Sequence, residues 1–275
     1  MVIQRTDYTA EAVAAARSVL LEVARILGEY KDGVVVIGGW VPELLLSGAK
    51  VTHVGSIDVD LALNHHTLQE PGYRTILDLL RARGYEMGPQ PFIFYRGIRI
   101  GDREYTVQVD FLAGEYGGTG RKHRTQNVQD IHPRKARGVD LAFEMPEKIE
   151  ITGDLPGGGR DTETVQVSAI APFLVMKGMA LSQRLKEKDA WDIYFCLQNY
   201  PGGIGALADE FHPILDHPLV QEGLCFIAEK FSAPESVGPS HVAVFEGVTD
   251  PEERALLRRD VFERVNSLLR ILGIV

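Results

Sequence analysis

The heptapeptide Ile57–Leu63, IDVDLAL, constrains this chain more than any other stretch. Apolar and polar residues alternate in it, the pattern of a strand whose two faces meet different surroundings. Side chains two apart on a strand share a face, so Asp58 and Asp60 stand side by side while Val59 and Leu61 anchor the other face. Two carboxylates that close repel one another unless a cation neutralises them. A divalent cation such as Mg²⁺ takes carboxylate oxygens and substrate phosphates together. A solvated strand face accounts for an isolated D-x-D, so the weight falls on what surrounds it.

Upstream, Val34–Ile37 is a short β-branched run suited to a buried strand. Gly38-Gly39 ends it, and a helix is expected from about Val41 to Ser47, with Pro42 in its first turn. A glycine turn leading into a helix is either a plain turn or an anion site, because glycine lets a phosphate approach the backbone N–H groups. Downstream, Asp110 lies in an expected strand, Tyr105–Leu112, on the face of Thr106 and Gln108. Alone it reads as a strand-end cap or a surface acid. If the two strands are neighbours, three carboxylates converge, a geometry that would hold two metals for phosphoryl or nucleotidyl transfer.

The remaining pattern is α/β up to about residue 168 and helical beyond it, which sets expected domains at 1–168 and 169–275. Helices are expected over 9–30, 68–83, 170–186, 188–198, 204–210, 218–231 and 251–272. Strands are expected at 92–96, 139–143 and 164–167. Among 275 residues, 45% are hydrophobic and 24% charged, which is ordinary globular composition and excludes a disordered or fibrous chain. No apolar run approaches a membrane span, and the N-terminus lacks a signal-peptide pattern. The expectation is a soluble, cytoplasmic protein with no membrane partner. Cys196 and Cys225 have no metal-ligand spacing and are expected to be buried. His65 and His66, adjacent at a strand end, are expected to point opposite ways and share no metal. The net charge is −9, yet 121–137 carries six Lys or Arg and one acid, Asp130. That segment is either a solvated loop or a track for phosphates.

The order of strand, Gly-Gly, helix, D-x-D strand and a later Asp-bearing strand resembles the nucleotidyltransferase superfamily of the DNA polymerase β type. The resemblance rests on Ile37-Gly38-Gly39-Trp40, Ser56-Ile57-Asp58-Val59-Asp60-Leu61 and Val109-Asp110-Phe111. The gap between Gly39 and Asp58 is longer than usual there, so a loop at Ala49–Val54 absorbs the extra residues. Trp40 after the glycine pair looks like the lincosamide and aminoglycoside nucleotidyltransferases. The stretch KGMALSQRLKEKDAWDIYF, through Lys177, Ala180, Leu181, Arg184, Lys188, Asp189 and Asp192, looks like the AbiEii toxin family of type IV toxin–antitoxin systems. Read physically, Lys177, Ala180, Leu181 and Arg184 share one helical stripe. A solvated face with a Lys188–Asp192 pair is the alternative.

The resemblance implies a mixed β-sheet with flanking helices and a C-terminal helical domain. It implies transfer of a nucleoside monophosphate from an NTP to a hydroxyl, with Mg²⁺ or Mn²⁺ and release of pyrophosphate. Asp58, Asp60 and Asp110 would be the catalytic metal ligands. Gly38, Gly39, Ser56, Lys177 and Arg184 would bind the nucleotide, with Asp189, Asp192, Arg134 and Arg137 as additional candidates. The acceptor would be an RNA end such as tRNA, with an antitoxin protein as partner, or a small hydroxylated molecule. The rival reading is a non-catalytic nucleotide-binding module.

Overall fold

Where the apolar runs alternate, the chain pairs into one sheet, and where they recur every three to four residues it forms helices. The computed structural model describes residues 4–68, 74–115 and 124–275. In chain order its elements are α1 (Ala10–Ile26), β1 (Val34–Ile37), α2 (Trp40–Leu45), β2 (Asp58–Leu63), α3 (Ile76–Ala82), β3 (Glu86–Met87), β4 (Ile93–Ile100), β5 (Arg103–Ala113) and β6 (Arg134–Lys135). They continue as β7 (Pro146–Asp154), β8 (Arg160–Ser168), α4 (Ile170–Gln183), α5 (Glu187–Asn199), α6 (Gly203–Phe211), α7 (Pro218–Lys230), α8 (Val237–Phe245) and α9 (Pro251–Ile271). The class is mixed α/β, with an open mixed sheet and flanking helices. The chain divides into two compact units. One, residues 8–41 and 55–169, holds the sheet; the other, residues 1–7, 42–54 and 170–275, is helical.

In the sheet unit the strand order is β3-β4-β5-β2-β1-β8-β7, with β6 paired to β5. β2 runs parallel to β5 and β1 parallel to β8, while β1–β2, β4–β5 and β7–β8 are antiparallel. The Gly101-Asp102 turn joins β4 to β5, and the positive φ of Gly101 suits a two-residue hairpin. Thr9 caps α1 by accepting from the Ala12 N–H. Val19, Leu20 and Val23 of α1 are buried, and the helix packs across β2, β4, β5, β7 and β8.

Glu22 of α1 is only 4% exposed. It accepts a 2.9 Å hydrogen bond from the Tyr85 hydroxyl and a 3.0 Å bond from Arg96 Nε. Burial raises the Tyr85 pKa far above its ordinary value, and the Glu22 charge adds to it. A buried carboxylate persists only with such partners.

Several expected elements differ in extent. The helix expected from Leu68 begins at Ile76, capped by Thr75; residues 69–73 of that span lie outside the described residues. Ahead of them, the Asn64 side chain accepts from the His66 and Thr67 N–H groups and folds 64–67 into a turn. Strand alternation therefore does not apply there, and the rings of His65 and His66 meet at 4.0 Å between centres, tilted by 38°, rather than pointing apart. Val139–Phe143 is a 3₁₀ turn, not a strand; it follows Gly138 at φ 85° and buries Val139, Leu141 and Ala142. β8 runs longer than the expected 164–167 and pairs with β7, which was not expected, in a hairpin from Pro146 to Ser168. Cys225 is exposed on α7, whereas Cys196 is buried.

In the helical unit α4 crosses α7 closely. A Cβ on Gly178 would lie 2.3 Å from the Gly223 carbonyl oxygen, so the two backbones meet where neither can carry a side chain. Helix α8 was not expected from the sequence, since Gly238 and Pro239 stand in its first turn, a position that tolerates proline. Arg5 binds Glu246 at 2.7 Å and lies over the Trp191 ring, which ties the N-terminal segment to this unit. Among the described residues no helix is long and apolar enough to cross a membrane.

The Glu22 network makes a direct prediction. Glu22→Ala leaves the buried Tyr85 hydroxyl unsatisfied and should cost about 2–3 kcal/mol in a urea unfolding experiment. Glu22→Gln, which still accepts, should cost less.

Candidate functional site

β1 ends at Ile37, paired with Asp60, and the chain turns sharply at Gly38, where φ is +70°. A Cβ on Gly38 would lie 2.1 Å from Asp60 Oδ2. The Asp60 carboxylate thus rests against the Gly38 backbone, and no other residue type fits there. Trp40 is fully buried and donates from Nε1 to the Asp58 carbonyl oxygen at 2.8 Å. That bond fixes the Gly38-Gly39 turn to β2.

The parallel register sets Asp58 opposite Gln108 and Asp60 opposite Asp110. Paired residues on neighbouring strands share a face, as do residues two apart. Asp58, Asp60, Gln108 and Asp110 therefore stand on one face of the sheet, opposite Val59, Leu61, Val109 and Phe111. All three carboxylates are half-buried, while the four apolar side chains on the other face are buried.

Asp58 and Asp110 are each held by the residue two positions before them in the chain. The buried Ser56 donates to Asp58 Oδ1 at 2.5 Å. Gln108 Nε2 donates to both oxygens of Asp110 at 3.0 Å. These bonds hold the carboxylates in place on a face where they would otherwise repel. Among the described residues no group of three or more His, Cys, Asp or Glu is gathered as a metal-holding cluster.

The expected basic segment is in part packed against the sheet unit. Residues 121–123 lie outside the described residues. Beyond them the chain is anchored, not a solvated loop: Gln126 is buried and donates to the Gly114 carbonyl, and Val128 and Ile131 are buried. Arg137 pairs with Glu115 at 3.0 Å. Arg134 is exposed on β6 with its guanidinium over the Phe92 ring.

The helical unit holds the second group of expected residues. Lys177 Nζ lies 2.7 Å from Asp189 Oδ1 and 2.7 Å from Asp192 Oδ2. Arg184 Nε binds Asp189 at 3.0 Å, and Lys188 binds Asp192 at 2.9 Å. The stripe expected on one helix is therefore folded onto the carboxylates of the next. Lys177, Asp189 and Asp192 are buried. Burial opposes charge on both aspartates, but Lys177 outweighs it, helped by Arg184 at Asp189 and by Lys188 at Asp192, so both stay ionised below the usual carboxylate range. Burial likewise opposes the Lys177 charge, and Asp189 and Asp192 more than offset it.

His53 completes this group and was not singled out from the sequence; its partner lies 139 residues away, and nothing local marks it. Its Nε2 is 3.0 Å from Asp192 Oδ1, and its ring packs against Trp191 and Phe195. Glu43 Oε2 lies 3.9 Å from Nδ1. Burial, reinforced by Lys188 and Lys177, lowers the His53 pKa to about 4 against the pull of Asp192.

In comparisons with known proteins, no family model, no curated protein and no solved structure matches the chain.

Two predictions follow from this geometry. Gly38→Ala should destabilise the fold by at least about 1–2 kcal/mol from its φ alone, with a further cost from the Asp60 contact, read by denaturant unfolding. His53 is neutral when folded and titrates near its ordinary value when unfolded, so the unfolded chain gains the proton first as pH falls. Stability should drop between about pH 6.5 and pH 4, by on the order of 3 kcal/mol in all. Calorimetry across that window should show a flatter profile for His53→Gln.

Proposed function

We propose that the protein is a metal-dependent nucleotidyltransferase, with the nucleotidyltransferase type of mixed sheet in its first unit. It would transfer a nucleoside monophosphate from an NTP to a hydroxyl and release pyrophosphate. One observation carries this reading. Asp58, Asp60 and Asp110 share a face of two parallel strands, and the Asp60 carboxylate lies against the Gly38 turn.

The donor chemistry suits a hard divalent cation such as Mg²⁺ or Mn²⁺, since the face offers carboxylate oxygens and no sulfur or imidazole. Asp58, Asp60 and Asp110 would hold it. Bound there, the ion would supply charge neutralisation to the triphosphate and acidity to the acceptor hydroxyl. The chain's own groups have definite tasks beside it. Asp110, held at both oxygens by Gln108, is the group placed to accept the hydroxyl proton. Ser56 orients Asp58. The backbone of Gly38 and Gly39 offers N–H donors to phosphate oxygens; the helix after them has only six residues, so local N–H groups rather than a long dipole would act. Lys177 and Arg184, the expected phosphate ligands of the helical unit, are bound to Asp189 and Asp192, and no step above uses them.

The acceptor divides into two classes, an RNA end such as tRNA and a small hydroxylated molecule. The first would bring a cytoplasmic toxin–antitoxin setting and an antitoxin partner.

The test is transfer of label from α-labelled ATP, GTP, CTP and UTP into RNA, protein and small-molecule fractions, with Mg²⁺ or Mn²⁺. Asp58→Asn should lower the rate by at least about 10³-fold, on the scale of losing a charge-stabilising catalytic group. Its melting temperature should stay level or rise, because one of three like charges is gone. Absence of label with NTP binding retained would favour the binding-module reading. A rate unaffected by Asp58→Asn would remove the carboxylate face from the chemistry.

A further inference from the structure

β6 is a two-residue strand, yet its register is informative. Arg134 pairs with Leu112, and Leu112 lies two residues beyond Asp110 on β5. Arg134 therefore belongs to the same sheet face as Asp60 and Asp110. β4 begins at Ile93, opposite Asp110, so β6 takes up the edge of β5 just where β4 leaves off. The residue before β4 is Phe92, and the Arg134 guanidinium lies 6.0 Å from the centre of its ring.

That ring contact is the one side-chain interaction the structure gives Arg134 among the described residues. Arg96, Arg99 and Arg137 of the same unit are each bound to a carboxylate, Glu22, Glu104 and Glu115 respectively. A guanidinium held over an aromatic ring by a cation–π contact keeps its rim of N–H donors free, and that rim matches the oxygens of a phosphate two at a time. A face bearing three carboxylates also repels any anion. A fixed positive group beside them is what a polyphosphate needs in order to dock there.

We propose that Arg134, laid over Phe92, is the phosphate-contact residue of the carboxylate face and binds the polyphosphate chain of the nucleotide. This assignment builds on the nucleotidyltransferase reading, but its ligand chemistry is narrower: an oligophosphate, recognised by a planar fork rather than by a point charge. Arg134 pins the phosphate chain along the edge of β5, so that its α-phosphate lies over Asp60 and Asp110. Phe92 orients the guanidinium and is a positioning residue.

The test uses the full chain with Mg²⁺ and two probes, inorganic tripolyphosphate and the four NTPs, with binding read by calorimetry and transfer by label. Arg134→Ala should weaken tripolyphosphate and NTP binding at least tenfold and raise the KM for NTP more than it lowers kcat. Its melting temperature should be unchanged, since the side chain is exposed. Arg99→Ala, which removes an exposed arginine already paired with Glu104, should bind like wild type. Arg134-dependent tripolyphosphate binding without any transfer would uphold the phosphate site while defeating the nucleotidyltransferase reading. Transfer with NTP affinity unaltered in Arg134→Ala would defeat the phosphate site alone. Equal losses in Arg134→Ala and Arg99→Ala would reduce the effect to general charge and overturn the assignment. Failure of the wild-type chain to bind either probe would overturn it as well.

Discussion

The parallel pairing of β2 with β5 is the constraint on which the sheet unit depends. It lies at the centre of the strand order, with the β4–β5 hairpin on one side and the β1–β2 pair on the other. Its register decides which side chains share a face. A shift by one residue would send Asp110 to the side of Val59 and Leu61 and bury it among apolar groups. Correct register is thus enforced by hydrophobic burial on the α1 side, and the carboxylate face comes as its consequence. Trp40 and Gly38 then bind the turn after β1 to that face, one through a hydrogen bond and the other by the absence of a side chain.

The helical unit rests on a different principle. It holds a buried group of Lys177, Asp189, Asp192 and His53, to which Lys188 and the exposed Arg184 add charge from the side. Such a group stabilises little compared with apolar packing of the same volume, because desolvation offsets most of the attraction. It is unforgiving, however, since removal of any one member strands the others. Trp191 and Phe195 enclose it on the His53 side, which keeps the local dielectric low and the geometry narrow.

The sequence made some of this legible and hid the rest, for physical reasons. β1, β2 and β5 were readable because β-branched and alternating residues mark half-buried strands, and the shared face of Asp58 and Asp60 followed from strand periodicity. The convergence with Asp110 was legible only as a condition, since pairing between β2 and β5 spans a long stretch of chain. β7 was largely hidden because Pro146–Asp154 is rich in charge, as befits an edge strand with exposed residues. Val139–Phe143 misled because an apolar run this short fits a 3₁₀ turn as well as a strand. Glu22 and His53 were illegible, because burial of a polar side chain depends on partners distant in sequence. Lys177, Arg184, Asp189 and Asp192 stood out in the sequence as phosphate-binding candidates, not as partners of one another. Their mutual pairing needed the fold of α4 against α5.

The membership of residues 42–54 has a consequence for how the chain can be divided. They belong to the helical unit, although the chain on either side of them belongs to the sheet unit. Cutting after residue 168 would leave His53 and Glu43 on a fragment without Asp192, Trp191 or Phe195. The helical fragment would in turn carry Asp192 with one of its buried partners gone. The two units are interleaved along the chain, so neither is a contiguous piece that can be inherited, swapped or expressed by a single cut. In synthesis, too, the 42–54 segment emerges long before its partners and must wait for the chain beyond residue 190.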